Sequence, residues 1–216
     1  MGNYLFLGAP GAGKGTMAEM LCAAHGQAHI STGDMLRAEM AGGSALGRQA
    51  KSYVEKGALV PDEVVAAIVS VRLASADVQQ RGFVLDGYPR TVRQAELLDD
   101  ALKEAKLTLD RVVLFEVDEE LILRRLTSRR ICKACGAIFN VLYNRPKAEG
   151  VCDKCGGALY QRPDDTVATA MSRLKVYEKE TFPLISLYKA KGLLLRTTGA
   201  EEKSANFALM CARLGL

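Results

Sequence analysis

No window of the 216-residue chain approaches the ~18 to 20 continuous apolar residues of a membrane-spanning helix. A basic segment ahead of the first apolar run is also missing, so the N-terminus does not read as a secretory signal. An intracellular protein with reduced cysteines is the expectation. Internal repeats and low-complexity linkers are absent, which excludes solenoids and arrays. Histidine is scarce: His25 and His29 have no nucleophile beside them in sequence, and neither is assigned chemistry. Excess charge is small as well. A net +4 and a pI near 8.7 suit anionic small molecules but are too weak to argue for nucleic acid. What is present is an ordinary globular composition, 49% hydrophobic and 25% charged, enough for one large domain or one domain carrying an insertion.

The most informative stretch is Gly8-Ala9-Pro10-Gly11-Ala12-Gly13-Lys14-Gly15-Thr16. It follows the strand-length apolar run Tyr4-Leu5-Phe6-Leu7 and precedes Met17–Cys22, which has helical composition. Strand, glycine-rich turn and helix are the context of a phosphate-binding loop. Glycines let successive backbone N–H groups point inward at phosphate oxygens, and the helix start adds its positive dipole end. Lys14 supplies a mobile point charge for the outer phosphates. Gly8 to Lys14 match G-x-x-x-x-G-K-[ST], but Gly15 stands at the hydroxyl position and Thr16 follows one residue late. Direct metal ligation by a hydroxyl is thereby weakened. A dinucleotide fingerprint fits worse, because the glycine spacing is wrong and Lys14 would have no role. The loop reads as a nucleoside triphosphate site.

Downstream, His29-Ile30-Ser31-Thr32-Gly33-Asp34-Met35-Leu36-Arg37 reads as a strand ending in a capped helix start, with Arg37 one turn in. Residues 38 to 75 carry three helical stretches divided by Gly42-Gly43, Gly57 and Pro61, the last opening a helix with Asp62 and Glu63. Phe83-Val84-Leu85 then ends in Asp86-Gly87-Tyr88-Pro89-Arg90. An acid at the carboxyl end of a buried strand near a phosphate loop is placed to organise magnesium and its waters. Helix 92 to 105, strand Val112–Val117 and a helix opened by Asp118-Glu119-Glu120 continue the alternation. Arg124, Arg125, Arg129 and Arg130 form either a solvated face or a cluster around polyphosphate. The alternation predicts a doubly covered parallel sheet with ligands beyond its carboxyl ends.

Between about 130 and 164 the texture changes. Cys132 and Cys135 are separated by sixteen residues from Cys152 and Cys155. C-x₂-C-x₁₆-C-x₂-C fits a four-thiolate zinc site in a small β ribbon, closed to catalysis because all four positions are filled. Iron or another soft metal is compatible with the same donors. Cys22 and Cys211 read as lone, buried, inert thiols. A long helix is expected from Thr166 to about Lys189, kinked or broken at Pro183, then strand Leu193–Leu195 and a terminal helix from about 200 to 214.

Taken in order, GAPGAGKGT, STGDMLR, LVPDE, DGYPRTVRQ, SRR and RPDD resemble adenylate kinase, in the long form whose lid carries a four-cysteine zinc knuckle. The resemblance implies an α/β, P-loop NTPase-like, doubly wound parallel-sheet core (1–30, 61–126 and 165–216), a helical AMP-binding segment (31–60) and a small β zinc-ribbon lid (127–164). It implies reversible phosphoryl transfer between Mg·ATP and AMP, giving two ADP, by a cytoplasmic monomer without nucleic-acid or membrane partners. By the same resemblance Gly11, Ala12, Gly13, Lys14, Gly15 and Thr16 hold the ATP phosphates, while Ile138, Phe139 and Thr198 lie near its base. Thr32, Arg37, Ala58, Leu59, Val60, Gly87, Tyr88, Pro89, Arg90 and Gln94 hold AMP. Arg125, Arg129, Arg162 and Arg173 surround the transferring group, the last two also reaching AMP, and Asp86 orders the magnesium waters. Asp164 and Asp165 tether lid arginines. Tyr88 stands where phenylalanine is common.

Two other functions compete. A UMP/CMP kinase shares the loop and the arginines, but Gln94 offers an amide matched to adenine, where the pyrimidine-specific relatives tend to carry asparagine. A nucleic-acid-binding ATPase would use Lys133, Arg145, Lys147 and Lys154 with Phe139, Tyr143 and Tyr160 on the ribbon, yet leaves Arg37, Arg90 and Gln94 unexplained.

Overall fold

The computed structural model describes residues 2–199 and 202–216. Its first strand, β1 (Tyr4–Gly8), sends successive side chains to opposite faces. Leu5 and Leu7 join one apolar cluster, Tyr4 and Phe6 another, so both faces of β1 are covered. The glycine-rich loop follows, then α1 (Lys14–His25). Gly13 caps α1 at φ 97°, a left-handed conformation that is costly for a residue with a Cβ. β2 (Ala28–Ser31) passes directly into α2 (Thr32–Ala41), and the N-cap Ser31 hydroxyl accepts from the Asp34 amide at 3.3 Å. α3 (Ala45–Val54) and α4 (Asp62–Leu73) follow, divided at the expected glycines and Pro61.

Helix α5 (Ala76–Arg81) carries no signal in the sequence pattern, because six residues are too few for a 3.6-residue period to emerge. It is anchored by Arg72, whose two terminal nitrogens reach the Asp77 carboxylate at 2.7 and 2.6 Å. β3 (Phe83–Asp86), α6 (Val92–Glu104), β4 (Arg111–Glu116) and α7 (Glu119–Thr127) lie where the alternation predicts. A small unit follows with β5 (Arg129–Cys132), β6 (Ile138–Asn140) and β7 (Leu159–Tyr160).

The long helix expected from Thr166 to Lys189 is divided ahead of Pro183, the break that the proline signals. α8 (Val167–Val176) runs into a π-helical turn, Tyr177–Thr181, and α9 begins at Pro183 (Pro183–Ala190). Proline lacks the N–H that would continue the α pattern. The widened turn ahead of it closes with the Phe182 amide on the Tyr177 carbonyl at 2.9 Å. β8 (Leu194–Thr198) and α10 (Lys203–Leu214) complete the chain. The expected start of the terminal helix, residues 200 and 201, lies outside the described residues.

All pairings in the main sheet are parallel, in the order β2-β3-β1-β4-β8. Leu98 of α6 and Leu184 of α9 pack into the cluster on one face; Leu21 of α1 and Met210 of α10 pack on the other. Register sets Asp86 beside Phe6 on one side and Ser31 on the other, so the functional strand ends reach one edge together. The second sheet is antiparallel, β6-β5-β7. Its apolar cluster is only Cys132, Ala137, Phe139 and Cys152 with Leu159 against it, too small to hold a fold without a cross-link. Among the described residues no helix is long and apolar enough to cross a membrane.

Candidate active site

A cleft of about 590 Å³ opens at the carboxyl ends of the parallel strands. Gly11, Ala12, Gly13, Lys14, Gly15 and Thr16 all line it. Lys14 Nζ donates to the carbonyls of Gly8 and Ala9 at 2.8 and 2.9 Å, which holds the ammonium inside the loop. Burial strips its water and lowers its pKa to about 8, against the opposing pull of Asp86. A Cβ at Gly15 would stand 3.3 Å from Asp86 Oδ2, tighter than ordinary van der Waals contact, so a larger residue there would press on the carboxylate.

Asp86 ends β3 and faces the cleft. Among the described residues its one ion-pair neighbour within reach is His29, Nε2 at 4.0 Å from Oδ2. A carboxylate left open beside a phosphate loop fits hydrated magnesium, which is held through few protein ligands. Arg90 is fixed at both ends: its Nε donates 2.7 Å to the Gly87 carbonyl, and Thr181 Oγ1 donates 2.7 Å to the Arg90 carbonyl. Arg129 grips Asp165 with Nε on Oδ2 at 2.8 Å and Nη2 on Oδ1. Arg173 Nη1 donates to Asp164 Oδ2 at 3.0 Å and lies 3.7 Å from Asp165 Oδ1. Arg125 places its guanidinium 5.9 Å over the Tyr143 ring. Arg124 and Arg130, by contrast, stay out of the cleft: Arg124 pairs with Glu120 in solvent at 3.2 Å, and Arg130 donates to the Arg129 carbonyl.

Burial lowers Arg90 and Arg125 below the ordinary arginine range and brings Arg162 and Arg173 to about 10. Several cations share a partly dehydrated space, and a polyanion is the ligand that relieves both their repulsion and their lost hydration. Asp34 offers partial relief. Its Oδ1 takes Arg37 Nη2 at 2.6 Å and Arg162 Nη2 at 3.4 Å, joining α2 to the segment after β7.

A second pocket adjoins the first, lined by Thr32, Ala58, Leu59, Val60, Gly87 and Gln94. Arg37, Arg90 and Arg173 border both spaces. Thr32 Oγ1 donates to the Gly87 carbonyl at 2.9 Å, tying the start of α2 to the turn after β3. Pro89, Ile138 and Phe139 line the main cleft. Two expected contact residues do not line either space. Tyr88 is buried behind the wall, where its hydroxyl donates 3.1 Å to the Gln94 carbonyl, which accounts for tyrosine here. Thr198 ends β8 just outside the lining, and its neighbour Gly199 is the residue that reaches the cleft. Sequence reasoning missed Asp34 as a shared arginine clamp and Asp62 as the partner of Gln94. Only the adjacency of Asp34 to Arg37 on one helical turn signalled the first; no local pattern signalled the second.

The four sulfurs of Cys132, Cys135, Cys152 and Cys155 lie within 4.8 Å of one another. Cys132 and Cys155 are 3.5 Å apart, and Cys135 and Cys152 3.6 Å. Tetrahedral zinc at ~2.3 Å from each sulfur requires sulfurs ~3.8 Å apart, so the donor set fits that ion. The amides of Cys135 and Ala134 lower the Cys132 pKa. The Gly157 amide works in the same direction on Cys155, but the sulfurs of Cys135 and Cys132 override it and push Cys155 up. Four thiolates this close would repel one another, and a cation bound between them would relieve that repulsion. Cys22 and Cys211 are half-buried rather than buried, and burial raises both thiols, Cys22 to about 11, away from reactive thiolate.

Comparison with known proteins agrees with this geometry. The profile of the family described as adenylate kinase matches residues 6–193. An adenylate kinase of Caldicellulosiruptor bescii is 54% identical over 200 residues, 93% of each chain. One from Desulfitobacterium hafniense is 52% identical over 198 residues, covering 92% of this chain and 91% of its own. One from Geobacillus sp. is 49% identical over 213 residues, covering 99% and 98%. The chain belongs to the adenylate kinase family.

Proposed function

We propose that the chain carries out its family's reaction, reversible transfer of the γ-phosphoryl group of Mg·ATP to AMP, through the following division of labour. The carrying observation is the pair of adjoining pockets bordered in common by Arg37, Arg90 and Arg173. One contains the phosphate loop and the other the Gln94 amide. Two nucleotides with their phosphates meeting at those arginines account for both.

Gly11 to Thr16 bind the ATP phosphates, with Lys14 on the outer ones. Arg125, Arg129, Ile138 and Phe139 close on the ATP side, and the Thr198–Gly199 backbone lies near its base. Thr32, Arg37, Ala58 to Val60, Gly87 to Arg90 and Gln94 form the AMP side, and Arg162 and Arg173 contact the phosphates between. Asp86 would hold the water shell of magnesium, which when bound would supply positive charge against that developing on the phosphates. The protein's own work is alignment and electrostatic stabilisation, for which fixed guanidinium groups in a dehydrated cleft suffice. The 127–164 unit acts as a lid over the core, its small sheet held by Cys132, Cys135, Cys152 and Cys155 on zinc. Closure excludes water that would otherwise hydrolyse ATP. The 31–60 segment is the AMP-binding part. We infer a cytoplasmic monomer acting on ATP, AMP and ADP alone.

The test is a phosphoryl-transfer assay with Mg·ATP against AMP, UMP, CMP and GMP. ADP formation with AMP far above the others is the expected outcome. Preference for a pyrimidine monophosphate would overturn the assignment of Gln94, and hydrolysis independent of any monophosphate would overturn the kinase reading.

A further inference from the structure

Gln94 is 2% exposed and lines the second pocket. A buried amide can present its oxygen or its nitrogen to a ligand, and the two orientations recognise opposite partners. Two neighbours decide the orientation. The Arg90 backbone amide, which can only donate, lies 2.7 Å from Gln94 Oε1. The Asp62 carboxylate, an acceptor, lies 2.8 Å from Gln94 Nε2 through its Oδ1. The other Asp62 oxygen accepts from Thr91 Oγ1 at 2.9 Å, and Thr91 Oγ1 in turn accepts the Gln94 backbone amide at 3.0 Å. Every donor in this chain meets an acceptor, and turning the Gln94 amide over would set Oε1 against a carboxylate and Nε2 against an N–H.

We propose that Asp62 is a specificity-determining positioning residue: it locks the Gln94 amide so that the base pocket accepts a 6-aminopurine monophosphate and rejects 6-oxopurines. This rests on the AMP-site reading above. With its two structural bonds made, the amide keeps one N–H and one oxygen lone pair. Adenine offers the complement, an acceptor at N1 and a donor at the 6-amino group. Hypoxanthine offers the reverse, N1–H and a 6-oxo group, which a turned-over amide would bind equally well. Identity of the Gln94 side chain alone therefore does not discriminate; the fixed orientation does. Asp62 lies 32 residues from Gln94 in sequence, opening α4, and touches the amide rather than the substrate.

The experiment compares kcat/KM for AMP, purine riboside 5′-monophosphate and IMP, on the unaltered protein and on Asp62→Asn. Purine riboside keeps the N1 acceptor and has no 6-substituent to clash. A locked amide makes one bond to it and meets like against like twice with IMP. The expected order is AMP, then purine riboside monophosphate, then IMP. In Asp62→Asn one of the two orientation constraints is gone. IMP should gain on AMP by roughly ten- to hundredfold, the worth of one charge-assisted hydrogen bond. The AMP loss should fall on KM rather than kcat. IMP equal to or better than purine riboside monophosphate on the unaltered protein would overturn the lock, and that comparison decides even if the variant does not fold. An IMP:AMP ratio within twofold of the original in a folded Asp62→Asn would overturn the role of Asp62. Failure of all three monophosphates to accept phosphate would instead reject the AMP-site reading itself.

Discussion

Asp165→Asn is the perturbation whose size the structure sets most directly. Asp165 is fully buried at 0% exposure and Arg129, its two-point partner, is 15% exposed. A second guanidinium, Arg173, lies 3.7 Å away. Asparagine preserves the shape, removes the charge, and turns an NH₂ group toward a guanidinium. Removing one partner of a buried pair costs about 3 to 5 kcal/mol, most of it the stranded charge. For a chain of this size each kcal/mol lowers Tm by about 2 to 4 °C, so a fall of about 6 to 20 °C is expected. Differential scanning calorimetry should be run with and without saturating ATP. A bound polyphosphate supplies negative charge where Arg129 lost it, so the deficit should shrink in the ATP arm. A Tm within about 1 °C of the original would refute the energetic role of the pair. A deficit unchanged by ATP would refute contact between Arg129 and the phosphates.

Two further outcomes follow from the same geometry. Stripping metal from the four-cysteine site with a strong chelator should lower Tm and loosen residues 129–160 first, because their own apolar cluster is so small; hydrogen exchange read by segment checks it, and equal protection with metal loss confirmed would contradict it. Lys14 titrates near 8 when folded, below the ~10.4 of an unfolded lysine. Between those values the unfolded chain binds more protons, so the cost of burying the ammonium is present below about 8 and fades as pH rises toward 10.4. Polyphosphate favours the charged form, so ATP affinity should weaken above about pH 8. Calorimetric titrations at pH 7 and 9.5 should show that loss, and Lys14→Met should abolish the pH dependence while weakening binding at both.

Most of the phosphate side of the cleft was legible in the sequence because it is built from contiguous residues. A loop, the helix it opens, and an acid or arginine at a strand end are local patterns, and parallel topology then delivers Asp86, Ser31 and the loop to one edge. The cysteine spacing was readable for the same reason. Arg125 and Arg129 could not be separated from Arg124 and Arg130 on spacing alone, since the helix ends and β5 begins between the pairs, resetting which face is which. The bonds of Asp34 to Arg162 and of Asp62 to Gln94 were invisible because each acts across segments distant in the chain. In their own sequence context the two aspartates read as helix-opening acids, and both are that as well.

The π-helical turn at Tyr177–Thr181 has a bearing on how this chain tolerates change. A helix advances about 100° per residue. The extra residue in the wide turn therefore sets a rotational phase difference between α8, which aims Arg173 at the cleft, and α9, which sends Leu184, Ile185 and Tyr188 into the core. Thr181, at the end of the wide turn, also holds the Arg90 carbonyl. Deleting a single residue between 177 and 181 would remove the extra residue and turn one of those two faces away from its target. Exposed side chains on the same turn can be exchanged freely, whereas its length cannot: here the count of residues, more than their identity, is what the fold has to conserve.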